Sequence, residues 1–204
     1  MIWSSTVSLL GKTFHLKLQV LDTPRAPTVG MSARVCGTCE FTVFMDFDNI
    51  VDSRLKEELV NLQQLFQLGD FFVFETSPYG RHAVCVDRMP MREALAVLWE
   101  STCDYNFKRG IKINEYRTWI LRVVEKGNRP KPKYLYPVLS KYNGLHFQSQ
   151  AHLLFLLLYY GADVRPVKNK LDGNTKIEIQ GYKTASKIDV RELGQMNIKE
   201  LLRR

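Results

Sequence analysis

Cysteine, glycine and proline are scarce in this chain, at 4, 12 and 8 of 204 residues. Four cysteines do not make a disulfide framework at this length, and so few turn formers exclude collagenous and low-complexity classes. Cys36 and Cys39 form a lone CxxC with no second CxxC or HxxxH to complete a zinc tetrahedron. Either folding brings Cys85 or Cys103 to the pair, or the two are simply small apolar residues, and the cysteine usage as a whole points to a reducing compartment. Long hydrophobic runs are also missing. The longest, Leu153 to Tyr160, is far short of the roughly 20 residues that span a bilayer and reads as a buried helix. Met1 to Leu10 lacks the basic start of a signal peptide, so the expectation is a cytoplasmic protein with no membrane partner.

What is present is an ordinary globular composition, 45% hydrophobic and 25% charged, with a net charge of +8. We expect one domain, with a core over about 40–135 and accessory helices and strands over 136–204 packed on it. The charge is local. Between Tyr105 and Leu145 lie Lys108, Arg109, Lys112, Arg117, Arg122, Lys126, Arg129, Lys131, Lys133 and Lys141, against Glu115 and Glu125, while the rest of the chain balances. One stretch therefore carries the whole excess and is a candidate polyanion-facing surface.

Alternation predicts strands over 14–20, 41–47, 71–77, 82–87, 116–126 and 175–182, with turn-rich or polar segments at 22–30 and 167–174. Leu55, Leu59, Leu62, Leu65, Phe66 and Leu68 recur at helical spacing behind Asp52 and Ser53 and ahead of Gly69. Further helices are expected over about 90–102 (with Leu95, Leu98 and Trp99 on one face), 149–161 and 190–203. The fold class is α+β. From residue 41 the order is β-α-β-β-α-β, that of an RNA-recognition-motif-like sheet with both helices on one face and the other face open unless something covers it.

Chemistry concentrates in three places. Asp46 and Asp48 flank Phe47 near a strand end, so both carboxylates point to one face with their Cα atoms about 7 Å apart, a hard-oxygen pair suited to Mg²⁺ or Mn²⁺. Ser77-Pro78-Tyr79-Gly80-Arg81-His82 lies between two strands; Gly80 permits a tight turn, and Ser77, Arg81 and His82 offer a hydroxyl, a donor fork and an imidazole for phosphate. The basic strand WILRVVEKGNRPKPKY follows.

Together these segments resemble the archaeo-eukaryotic primase and primase-polymerase family, over roughly residues 40–135. The resemblance implies that Asp46 and Asp48 bind catalytic metal and that Ser77 and His82, with Gly80, Arg81, Arg122 and Lys126, contact the incoming nucleotide. It also implies a third carboxylate, for which Asp104 and Glu115 are the competing positions, Asp104 favoured. Lys108, Arg109, Arg117, Arg129, Lys131 and Lys133 are then the nucleic-acid contacts, with Tyr134, Tyr136 or Tyr142 as stacking groups. Ser77 and His82 are five apart, a departure from the family's spacing. The implied activity is template-dependent nucleotidyl transfer with Mg²⁺ or Mn²⁺, on a single-stranded DNA template with nucleoside triphosphates, in a prokaryotic, plasmid or viral replication protein working beside a helicase or other replication protein. Two rivals stand beside it. FMDFDNI also resembles the opening strand of NYN or PIN nucleases, and a primase-like module that only binds nucleic acid fits the basic stretch.

Overall fold

The computed structural model describes residues 2–9, 12–19, 29–113, 118–165, 176–180 and 185–189. The architecture is α+β with antiparallel sheets. Strands β1 (Ile2–Leu9) and β2 (Lys12–Gln19) form a hairpin of their own; β2 matches the strand expected there, and β1 was not anticipated. The segments 22–28 and 167–174 and the helix expected over 190–203 lie outside the described residues.

The central sheet holds β4 (Glu40–Asp48), β5 (Phe71–Ser77), β6 (Gly80–Pro90) and β8 (Lys133–Val138) in the order β4-β6-β5-β8. Helix α1 (Asp52–Phe66) links β4 to β5, and α2 (Met91–Glu100) follows β6. Val43, Met45, Phe71, Val73, Ala83 and Cys85 form one face of this sheet and are fully buried, as are Leu55, Leu59, Ala94 and Leu98 of the two helices. Helix α2 buries Ala94, Val97 and Leu98 rather than the expected Leu95, Leu98 and Trp99. Trp99 is turned out onto Tyr105, edge to face with centroids 6.1 Å apart.

Gly69 was expected to end α1, but Gln67 ends it, in the left-handed region at φ 54°. Gly69 has another task. Its N–H donates to Asp87 Oδ2 at 2.6 Å, and a Cβ there would stand 2.8 Å from Asp87 Oδ1. The expected caps Asp52 and Ser53 likewise give way to Val51, with no side-chain cap bond.

The strand expected over 116–126 is shorter and sits elsewhere. Helix α3 (Tyr105–Ile113) precedes it, and β7 is Ile120–Arg122. The predicted alternation holds, with Trp119, Leu121 and Val123 buried and Ile120 and Arg122 half-buried. Alternation assigns faces but not partners: β7 pairs with β3 (Gly30–Ser32) in a second sheet of order β10-β9-β3-β7, completed by β9 (Lys176–Gln180) and β10 (Ala185–Asp189). The fourth place in the central sheet belongs to β8 instead.

This second sheet and α4 (Gln150–Tyr160) cover the face of the central sheet opposite α1 and α2. Phe44 meets His152 edge to face at 5.7 Å, and Phe74 meets Tyr160 at 4.8 Å. His152 is fully buried; its Nε2–H donates to the Ser32 carbonyl at 2.9 Å, which leaves Nδ1 to accept from the Ser149 hydroxyl at 2.7 Å. The face is therefore not open. Cover stops short at the ends of β4 and β6, and that gap forms the site. Among the described residues no helix is long and apolar enough to cross a membrane.

Candidate active site

Asp46 and Asp48 end β4 opposite His82 and Gly80, the start of β6. Strand alternation puts both carboxylates on the face toward β7, where they line a cavity of about 220 Å³ with Thr76, Ser77, His82, Ile120, Leu121, Arg122, Lys126 and Arg129. Gly80 suits this packing. A Cβ there would approach Thr76 Oγ1 to 2.5 Å and Ser77 Oγ to 2.7 Å, so glycine lets the hairpin close over its own hydroxyls.

The acidic group is frustrated. Burial, followed by the nearby Asp48 and Asp104 carboxylates, pushes the Asp46 carboxyl up to about 6, against the opposing pull of Arg129 and Arg122. Nε2 of buried His82 stands 3.4 Å from Asp46 Oδ1. Burial and then Arg122 bring its imidazole down to about 3, so it is neutral at pH 7.

Asp104 belongs to the same cluster although it does not line the cavity. Its N–H donates to the Asp46 carbonyl at 2.7 Å, and its Oδ1 accepts from the Phe107 N–H at 2.7 Å, capping α3. Glu115, its competitor, lies outside the described residues, as does Arg117.

Cations face the acids across the cavity. Arg122 is half-buried, its guanidinium held by the carbonyls of Val124, Pro130 and Thr76. Lys126 and Arg129 exchange backbone hydrogen bonds across a two-residue turn whose first residue, Gly127, has φ 55°. The two cations are thus opposite one another on a short hairpin, an arrangement that costs stability unless an anion lies between them.

Other expected residues are engaged elsewhere. Arg81 points to the helix side of the sheet, where Nε donates to Asp52 Oδ1 at 2.9 Å and Nη1 to the Ser77 and Gly80 carbonyls. Residues 81 and 82 of one strand face opposite ways, so His82 can reach the cavity and Arg81 cannot. Lys108 is buried, donating to the Ser101 carbonyl beside the Trp99 ring. Lys131 lies over the Tyr159 ring at 3.6 Å, Arg109 lies beside Tyr105, and Lys133 is exposed at the start of β8. Tyr134 packs on Phe74 in the core, Tyr136 lies under Lys56, and Tyr142 is beside Lys141. Cys36 is buried and Cys39 exposed. Sequence reasoning missed Thr76, whose one signal was adjacency to Ser77.

Among the described residues no three of His, Cys, Asp and Glu are arranged to close a metal shell by themselves. The donor set nevertheless fits Mg²⁺ or Mn²⁺, which bind through one or two carboxylates and complete their shells with water and substrate phosphate. Compared with protein-family models, curated proteins and solved structures, the chain matches none.

Proposed function

We propose that the chain is a template-dependent nucleotidyltransferase of the primase-polymerase kind, joining nucleotides in DNA replication or repair. The observation that carries this reading is a single cavity lined on one side by Asp46 and Asp48 and on the other by Arg122, Lys126 and Arg129. A protein that only coats nucleic acid needs the cations and gains nothing from two acids among them. A nucleotidyltransferase needs both, because it handles a polyphosphate and must place a hydroxyl against it.

In this reading Asp46, Asp48 and Asp104 make the acidic wall, and Asp46 and Asp48 hold Mg²⁺ or Mn²⁺. The bound metal would lower the pKa of the attacking hydroxyl and neutralise the departing pyrophosphate. Arg122, Lys126 and Arg129 take the triphosphate, the first as a fork fixed by backbone carbonyls and the others as a pair across their short hairpin. Neutral His82 can donate a hydrogen bond to phosphate or to Asp46, and Ser77 and Thr76 present hydroxyls. The template is single-stranded DNA, with exposed Arg109 and Lys133 among the remaining basic residues; a helicase or other replication protein is the expected partner. The order β4, α1, β5, β6, α2 and the sheet order β4-β6-β5 fit an RNA-recognition-motif-like core whose last strand has left the sheet for β3. The nuclease reading calls for a parallel sheet, whereas the central sheet is antiparallel throughout.

The test is incubation with a single-stranded template, labelled nucleotides and Mg²⁺ or Mn²⁺, with and without primer, beside an Asp46→Ala/Asp48→Ala variant. Extension or dinucleotide synthesis absent from the variant supports the reading. Template shortening would replace it with a nuclease, and binding without turnover in either metal would leave a non-catalytic module.

A further inference from the structure

After β7 the chain runs out from Val123, turns at Gly127 and comes back to Lys131, so that Lys126 and Arg129 stand at the tip of a basic arm. Both legs of the arm are held at one place, the C-terminal end of α4. On the outgoing leg, Tyr159 Oη donates to the Val123 carbonyl at 3.0 Å, and Tyr160 Oη reaches the same carbonyl at 3.5 Å. On the returning leg, Lys131 Nζ lies 3.6 Å from the centroid of the Tyr159 ring and donates to the Tyr159 carbonyl at 3.5 Å. The ring is itself fixed, because fully buried Phe155 stacks on it with centroids 4.9 Å apart. Arg122 closes the arm from within, its Nη1 donating to the Val124 carbonyl of one leg and the Pro130 carbonyl of the other.

What these contacts oppose is repulsion. Lys126 and Arg129 are like charges on facing positions of a short hairpin, joined by two backbone bonds of 2.9 and 3.0 Å. A two-stranded hairpin is marginal by itself, so the base of the arm fixes where its tip stands relative to Asp46 and Asp48. Cations already in place also spare an arriving polyphosphate the cost of ordering them.

We propose that Tyr159 is a positioning residue for the polyphosphate of the nucleotide: it acts through the arm, gripping both legs so that Lys126 and Arg129 face the acids across the cavity. The identity of the ligand rests on the nucleotidyltransferase reading. Hydroxyl and ring have separate duties, the hydroxyl holding Val123 and the ring holding Lys131. Lys131, expected from the sequence to contact nucleic acid, is on this account the anchor of the returning leg.

Calorimetric titration with Mg²⁺-tripolyphosphate reads the arm without requiring turnover. Relative to wild type, Tyr159→Ala raises Kd about tenfold, while Tyr159→Phe, which keeps the ring under Lys131, and Lys131→Met, which keeps the bond to Val123, each raise it about threefold. The decisive measurement is a double-mutant cycle. In an Arg129→Ala background, which lacks the repulsion at the tip, Tyr159→Ala costs about threefold or less, whereas a general packing fault costs the same in both backgrounds. Equal losses in the two backgrounds overturn the proposal, as does wild-type affinity in both Tyr159→Phe and Lys131→Met, or failure of the wild type to bind tripolyphosphate. The last two variants keep the test open if Tyr159→Ala does not fold. Primer extension separates this role from the activity. Extension by Tyr159→Phe and Lys131→Met with wild-type KM for the nucleotide removes the role and keeps the nucleotidyltransferase reading. Coupled tripolyphosphate binding in a wild type that extends no primer keeps the role and removes that reading.

Discussion

The backbone N–H of Asp104 donates to the backbone carbonyl of Asp46 at 2.7 Å, while the Asp104 carboxylate caps α3 through the Phe107 N–H. One residue thus ties the start of a helix to the acidic strand and adds a negative charge to its cluster. Asparagine caps a helix about as well as aspartate. Asp104→Asn should therefore keep stability within about 0.5 kcal/mol in urea unfolding while lowering kcat for nucleotide addition at least tenfold, and Glu115→Gln should leave kcat near wild type. The opposite pattern would make Glu115 the third acid.

Asp46 is destabilising where it stands, because burial and two carboxylates oppose its charge. Asp46→Asn should abolish nucleotide addition and yet leave the protein as stable or more stable, by about 1 kcal/mol once partial solvent screening is allowed for. A clear fall in the chemical-denaturation midpoint would contradict this account of the cluster.

Arg81 and Arg122 are both expected from the sequence to contact nucleotide, yet they face different surroundings. Arg81→Met should cost about 1–3 kcal/mol of stability by breaking the Asp52 pair and the bonds to the hairpin carbonyls, with little change in KM for nucleotide. Arg122→Met should raise that KM at least tenfold, since its guanidinium faces the cavity. Denaturation curves and KM values measured together separate the two.

His152 is fully buried, and burial brings its imidazole down to about 4. The native state keeps it neutral where the unfolded chain, titrating near 6.5, is already protonated. Its contribution is present above pH 6.5 and is lost as pH falls from 6.5 through 4, by about 3 kcal/mol in all. Wild type should accordingly lose more stability than His152→Gln between pH 7 and pH 4, His82 being common to both. Parallel pH profiles would exclude this role.

Much of the site was legible before folding was considered. Period-two alternation is enough to put Asp46 and Asp48 on one face, and the glycine in the Ser77–His82 turn marks a close approach. The same period separates Arg81 from His82, although phosphate chemistry alone had grouped them. Lys108 was beyond reach of such reasoning, because a lysine in a basic run looks solvated until Trp99 and the Ser101 carbonyl are known to enclose it. Local pattern determined the strands of the β5–β6 hairpin, the buried stripe of α1 and the alternation around β7. Which strand β7 joins, which face α4 covers, and that Asp104 returns to Asp46 were decided only in three dimensions. A side-chain period specifies which way a residue points, whereas pairing and burial depend on contacts between segments far apart in the chain.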